Sequence, residues 1–436
     1  MELFVIHGGQ PLSGQLAVSG SKNASLPILA ATLAIPTPVR LQSVPKLTDV
    51  HTLCDLLRPL GKVITRDARG DCLVEDTSPA GYCADPELVR RMRAGVCVLG
   101  PLLARHGTAI VPLPGGCQLG PRPIDLHLQG LTALGAHLRI EQGLIIAEAR
   151  QLRGDRVSLL GPQGTTVTGT CNVLTAATLA SGTTVIEHAA REPEVVDLAN
   201  FLNACGARIS GHGTSEITVE GVPQLRGTTY RVIPDRIEAG TLLCAAAITG
   251  GDVTLTEVRP DHLEAVLQVL RATGCRIAHT PESIRLTAPS RILPVDLVAQ
   301  PYPAFPTDLQ PQLTALLSLA AGASRVVDEV FPERFAHVPE LCRLGAQITQ
   351  PFSGCGLRIT GRSHLNAAPV SATDLRGGAA LVLAALAARG TSSVAGVAHI
   401  DRGYQQFEAS LGSLRARLFR HQTHLPATGD LIRRTA

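Results

Sequence analysis

Tryptophan is absent from these 436 residues, and phenylalanine and tyrosine bring the aromatic share to only 3%. A chain with so few ring faces is poorly equipped to stack bases, which argues against nucleic acid as a partner. The net charge of +3 is too small to mark a polyanion or an anionic membrane surface. No uncharged apolar run approaches the ~20 residues that span a bilayer. The opening Met-Glu-Leu-Phe-Val-Ile lacks the basic segment of a signal peptide. Neither a Walker loop nor a G-x-G-x-x-G occurs, so nucleotide hydrolysis and hydride transfer are disfavoured. The eleven cysteines include no C-x-x-C and no Cys/His pair at zinc spacing, so no metal is expected. Free thiols in that number point to a reducing compartment, and a cytoplasmic location is expected. Cys97, Cys205, Cys244 and Cys342 fall on apolar helical faces and read as small core residues.

Lysine is nearly missing too. Of 39 basic residues only Lys22, Lys46 and Lys62 are lysine, so the one in Gly20-Ser21-Lys22-Asn23 stands out. A compact ammonium beside the Asn23 amide suits a phosphate or carboxylate oxygen. A second conspicuous stretch is Pro114-Gly115-Gly116-Cys117-Gln118-Leu119-Gly120-Pro121-Arg122-Pro123-Ile124-Asp125-Leu126-His127. Its glycines permit a mobile loop and its prolines stiffen the far side. Such a loop brings a thiol over a ligand while Arg122 stays on an anion.

What is plentiful is Ala, Leu and Gly, in a repeating order. Each unit opens with an apolar helical stretch, then a Val/Thr-rich strand, a second helix ending in glycine, and further strands. The closing glycine recurs at Gly61, Gly135, Gly206, Gly274 and Gly345, with a degenerate sixth copy at Leu414-Arg415, at gaps of 68 to 74 residues. Glycine at a helix C-terminus before a strand is the expected αβ connection. The first helix of each unit is apolar nearly all round and must be buried. The fold class is therefore α/β, with six units in two domains of three. The expected division is 21–231 for the cysteine-loop domain, 1–20 plus 232–420 for the second, and a tail over 421–436. A cleft between domains joined by two strands can close on a ligand.

The turns after the repeat strands are chemically loaded. They hold Arg93, Arg122, Glu192, Asp308, Arg334, Asp374, Arg376 and Arg402. Arginine forks pair with phosphate and carboxylate oxygens, and the carboxylates among them offer general bases. A small ligand with more than one acidic group fits this set.

The motifs Gly20-Ser21-Lys22-Asn23-Ala24, Pro114-Gly115-Gly116-Cys117, Arg191-Glu192-Pro193-Glu194, Phe305-Pro306-Thr307-Asp308, His337-Val338-Pro339-Glu340-Leu341 and His399-Ile400-Asp401-Arg402-Gly403-Tyr404 resemble the UDP-N-acetylglucosamine 1-carboxyvinyltransferases of the EPSP synthase superfamily. The likeness runs from about residue 3 to about 420. It implies an inside-out α/β barrel of six βαβαββ repeats with the site between domains. It also implies transfer of the enolpyruvyl group of phosphoenolpyruvate to the sugar 3′-hydroxyl of UDP-N-acetylglucosamine, with loss of phosphate, in peptidoglycan synthesis. By the same resemblance Lys22, Arg122 and Arg402 hold phosphoenolpyruvate beside Asn23. Arg93, Arg122, Pro123, Ile124, Asp125, Leu126, Asp308 and Val330 meet the UDP-sugar, and Glu192, Asp374 and Arg376 complete the cleft. Cys117, whose ordinary thiol stays mostly protonated at neutral pH, is the expected acid, the target of epoxide phosphonates of the fosfomycin type, and Asp308 the base. Neither a metal nor an organic cofactor is implied.

Two departures stand out. Gly164-Thr165-Thr166-Val167-Thr168-Gly169-Thr170 replaces the usual Ser-Val-Gly-Ala-Thr pattern, which leaves room for another nucleotide acceptor. Gly377-Gly378 stands where Ala-Ser is usual, and a loosened helix start is expected there.

Overall fold

The computed structural model describes residues 2–67, 70–77, 80–115, 124–162, 164–350 and 356–422. Its apolar interior falls into two clusters. One takes buried residues between Ala24 and Val232, the other those between Phe4 and Val18 together with Ile237 to Leu418. Helices that are apolar all round have no face for solvent and pack on one another. In the second core Arg236–Ile248, Gln310–Leu317 and Leu375–Ala387 touch each other, and in the first Lys22–Ala31 and Leu99–His106 both meet Val167–Ala177. Strands lie around these bundles. Among the described residues there are six sheets of three or four strands and one two-stranded ribbon.

The sheets share a plan. Thr183–Glu187 runs parallel to Arg156–Ser158, across the intervening helix Val167–Ala177, and antiparallel to Glu216–Glu220. Alternation puts Ile186, Ile217 and Val219 inward at zero exposure. The second helix of five units ends on Gly61, Gly135, Gly206, Gly274 or Gly345, all with φ between +88° and +96°. In the sixth unit Arg415 holds the same left-handed turn at φ +70°, so the degenerate copy keeps the geometry without the glycine.

The first strand, Glu2–His7, lies between Thr391–Ala395 and Arg417–Gln422, and Ser13–Ala17 runs parallel to Asp252–Thr256. His421 and Gln422, placed in the tail by the sequence, close this last strand; residues beyond 422 lie outside the described set. Cys342 is exposed on the short helix Val338–Arg343, contrary to the core reading, because only Leu341 of that helix is buried. Cys97, Cys205 and Cys244 are buried.

The chain passes between the cores twice, side by side. Ser21 N–H donates to Ile233 O at 2.7 Å and Asp235 N–H to Ser19 O at 2.9 Å. A Cβ on Gly20 would lie 1.6 Å from Ser43 O, so this close crossing requires glycine. Behind it, the Glu238 carboxylate accepts Ser19 N–H at 2.8 Å and Ser19 Oγ–H at 3.3 Å. Burial, then repulsion from Asp235, raises the Glu238 carboxyl to about 7. A raised acid favours the protonated form, so its contribution is intact below the unfolded value near 4.5 and is lost as pH rises through about 7. The loss amounts to about 3 kcal/mol. Glu238→Gln is expected to gain stability relative to wild type between pH 5 and pH 8, read as the difference in urea midpoint. A pH-independent difference would place the group outside this linkage.

Candidate active site

Lys22 is the first residue of the helix Lys22–Ala31, which Ser21 caps by accepting Ala24 N–H at 3.2 Å. Its own N–H donates to Asp235 Oδ2 at 3.0 Å, which ties the helix start to the crossing. Its ammonium lies 2.8 Å from Asp49 Oδ2, in the first turn of Thr48–Leu57. From the second core, Arg402 Nε–H donates to Asp49 Oδ1 at 2.9 Å. Burial lowers the Lys22 ammonium, with Asp49 opposing and Arg376 and Arg402 adding to the shift. Burial works against the Asp49 carboxylate, but Lys22 and Arg402 outweigh it and hold the group below its ordinary range.

Asp308 sits in the turn Thr307–Leu309, between two arginines. Arg334 Nη1 donates to Oδ1 at 2.8 Å and Arg376 Nη2 to Oδ2 at 3.0 Å. Asp328 shapes this turn: it accepts Thr307 Oγ1–H at 2.6 Å and the N–H groups of Val330 and Phe331. Arg376 opens the helix Leu375–Ala387, where Asp374 Oδ1 accepts the N–H groups of Arg376 and Gly377. The helix start is therefore capped, not loosened. A Cβ on Gly377 would come within 2.5 Å of Asp374 Oδ2, so the unusual glycine lets the cap close. Arg376 also lies 5.4 Å above the Tyr404 ring. Burial pushes His337 down to about 4, with Asp374 opposing and Arg334 adding, which leaves it neutral at physiological pH.

Beside these cations opens a cavity of about 470 Å³, walled by both cores. Asn23, Arg93, Asp125, Leu126 and Glu192 come from the first core's part of the chain, and Asp308 and Val330 from the second. Lys22, Arg334, Asp374, Arg376 and Arg402 stand off this wall, and Asp308 joins the two regions through its arginines. Ile124 is buried just before the helix Asp125–Ala133. Cys117, Arg122 and Pro123 lie outside the described residues.

Thr165 to Thr168, where the sequence departs from the usual pattern, form part of the wall. Thr166 caps the helix Val167–Ala177 by accepting Gly169 N–H, so the positive end of an eleven-residue helix faces the cavity beside Arg93. Burial raises the Glu192 carboxyl, with Arg236 opposing, and its Oε2 has no hydrogen-bond partner among the described residues.

Sequence reasoning missed three groups. Asp49, in the first turn of its helix, carries no local mark of its role. Arg236 and Glu194 form a buried bidentate pair across the two cores at 2.9 and 3.2 Å, a pairing that nothing local in the sequence announces. Tyr302, whose ring lies 5.5 Å from that guanidinium, was available as one of only four tyrosines, set between two prolines.

The sequence model described as EPSP synthase (3-phosphoshikimate 1-carboxyvinyltransferase) matches residues 6–411. A UDP-N-acetylglucosamine 1-carboxyvinyltransferase of Nitratidesulfovibrio vulgaris is 49% identical over 96% of this chain and 99% of its own. The chain belongs to the UDP-N-acetylglucosamine 1-carboxyvinyltransferase family. A second such carboxyvinyltransferase, from Dichelobacter nodosus, is 48% identical over 97% of this chain and all of its own. The crystal structure of the enolpyruvyl transferase NikO from Streptomyces tendae superposes with a TM-score of 0.86 at 25% identity, covering 97% of this chain and 99% of that one. An EPSP synthase of Acinetobacter baumannii, at 18% identity and TM-score 0.72 over 97% of this chain and all of its own, shares the fold. The carboxyvinyltransferase fold is thus the α/β architecture of repeated sheets around buried helices described above. No helix among the described residues is long and apolar enough to cross a membrane.

Proposed function

We infer that this chain transfers the enolpyruvyl group of phosphoenolpyruvate to the 3′-hydroxyl of UDP-N-acetylglucosamine and releases phosphate, as a cytoplasmic enzyme of peptidoglycan synthesis. The observation that carries the reading is Asp308, which lines the cavity while both its oxygens are held by arginines of the cation cluster. One carboxylate therefore stands where a sugar hydroxyl in the cavity would meet an anion on the cations.

The chemistry needs two proton transfers. Asp308 takes the proton of the sugar hydroxyl as its oxygen bonds to the central carbon of phosphoenolpyruvate. Cys117, by family resemblance, gives a proton to the methylene carbon, which becomes a methyl group. The tetrahedral ketal then returns a methyl proton to the Cys117 thiolate and expels phosphate, which takes the proton held by Asp308, re-forming the double bond. Lys22, Arg122 and Arg402 stabilise the charge that gathers on the leaving group. Arg93 and the helix start at Val167, both on the cavity wall, would hold the diphosphate. The domains 21–231 and 1–20 with 232–420 are proposed to close over both substrates about the paired crossing.

A phosphate-release assay tests the reading. With phosphoenolpyruvate, UDP-N-acetylglucosamine is expected to give one phosphate per enolpyruvyl product, and UMP none. Release with UMP and not with the UDP-sugar would favour a nucleotide acceptor, the reading that the altered threonine wall supports. Binding of the UDP-sugar without release would overturn both.

A further inference from the structure

Two oppositely placed cations share one acid in this site. Asp49 belongs to the first core and is 5% exposed; its two oxygens face Lys22 from the same core and Arg402 from the other. The backbone draws the same elements together. Thr48 N–H points at Asp401 O at 3.4 Å, and Lys46 N–H donates to Gln405 Oε1 at 2.8 Å. The start of Thr48–Leu57 is thus docked on the turn that carries Arg402, independently of the Asp49 side chain.

We propose that Asp49 is a positioning residue of the anion site: its carboxylate fixes the Lys22 ammonium and the Arg402 guanidinium as one pair, across the two cores, for the anionic groups of phosphoenolpyruvate. The proposal rests on the function inferred above. A carboxylate bridging two cations removes their freedom to turn away, so the ligand meets a set already arranged. It also lets Lys22 keep its proton in a buried place. The charged groups facing Lys22 are Asp49 from its own core, Arg376 and Arg402 from the second, and Asp235, which holds the Lys22 backbone N–H. Both arginines and the burial itself favour neutral lysine, and Asp49 opposes them.

The arrangement separates Asp49 from a merely structural ion pair. Asp49→Asn keeps the shape and the backbone docking but turns the bridge into a neutral amide that offers Lys22 no charge. Removing the counter-charge of a buried cation is expected to raise the KM for phosphoenolpyruvate at least about tenfold. The KM for UDP-N-acetylglucosamine should change less than about twofold. The basic limb of the pH profile of phosphoenolpyruvate binding, in which the Cys117 proton transfer takes no part and which ends as Lys22 loses its proton, should move to lower pH. Asp49→Glu, which keeps the charge on a longer arm, should return the basic limb toward its wild-type position.

The proposal is overturned if Asn leaves both the phosphoenolpyruvate KM and the basic limb unchanged, or raises the two KM values together. It is equally overturned if Glu fails to restore the limb. Should Asn unfold the protein, the Glu variant's pH profile and its two KM values decide the matter alone. Wild-type enzyme that releases no phosphate with either acceptor would defeat the inferred function instead, so the two failures are distinguishable.

Discussion

Asparagine in place of Asp308 is expected to lower kcat by about 10²- to 10⁴-fold, the usual worth of a general base. The change keeps the size of the side chain and one carbonyl oxygen for Arg334 or Arg376, so the turn Thr307–Leu309 should survive. Among the described residues, it removes the one group at the cavity wall that both touches the cation cluster and can take a proton. The hydroxyl oxygen gains a bond to carbon as its proton leaves, so Asp308 need not form a free alkoxide. Arg334 and Arg376 keep the carboxylate from turning aside. A rate drop below about tenfold in steady-state assays at saturating substrates would remove Asp308 from the proton transfer.

Glu194→Gln is expected to cost about 3–5 kcal/mol of stability, the range for breaking a buried pair from one side. Arg236 is 8% exposed, and the Nε and Nη2 edge of its guanidinium donates to both oxygens of Glu194. Once that charge is gone, Glu192 and Asp308 are the carboxylates left facing it, and burial disfavours ionisation of Glu192. Glu194→Met with Arg236→Met should recover most of the lost stability, since two apolar chains leave no charge uncompensated. Activity should not return with it, because Arg236 is part of the cavity wall. Urea unfolding of the single and double variants reads both. A double variant as unstable as the single would mean that the pair's shape matters more than its charge.

The fold was legible because the repeat is written in backbone geometry. Five glycines at one spacing report five left-handed helix ends, and each is found at a φ that favours glycine. The sixth position shows the limit of that signal: Arg415 adopts the same conformation, and only the spacing reveals it. Burial was harder to read. Cys342 sits on an apolar-looking face, but a six-residue helix with one buried position has no inner stripe to give it. In the site, Lys22, Arg376 and Arg402 stood out by charge in odd places. Asp49 did not, because an acid in the first turn of a helix is commonplace and nothing local says that its partner lies 353 residues away. The Gly377-Gly378 reading erred for a similar reason. Propensity speaks for a weak helix start, while the room needed by the Asp374 cap is visible only in three dimensions.

The seating of Glu2–His7 between Thr391–Ala395 and Arg417–Gln422 has a consequence for how the polypeptide is made. His7 is made 384 residues ahead of its partner Thr391, so this strand is among the last to find its neighbours. Until then Phe4 and Ile6, which end at zero exposure, have no mates, and the nascent strand is an open edge. The core built from Ala24 to Val232 can mature during synthesis, while the other waits for Thr391–Ala395 and Arg417–Gln422.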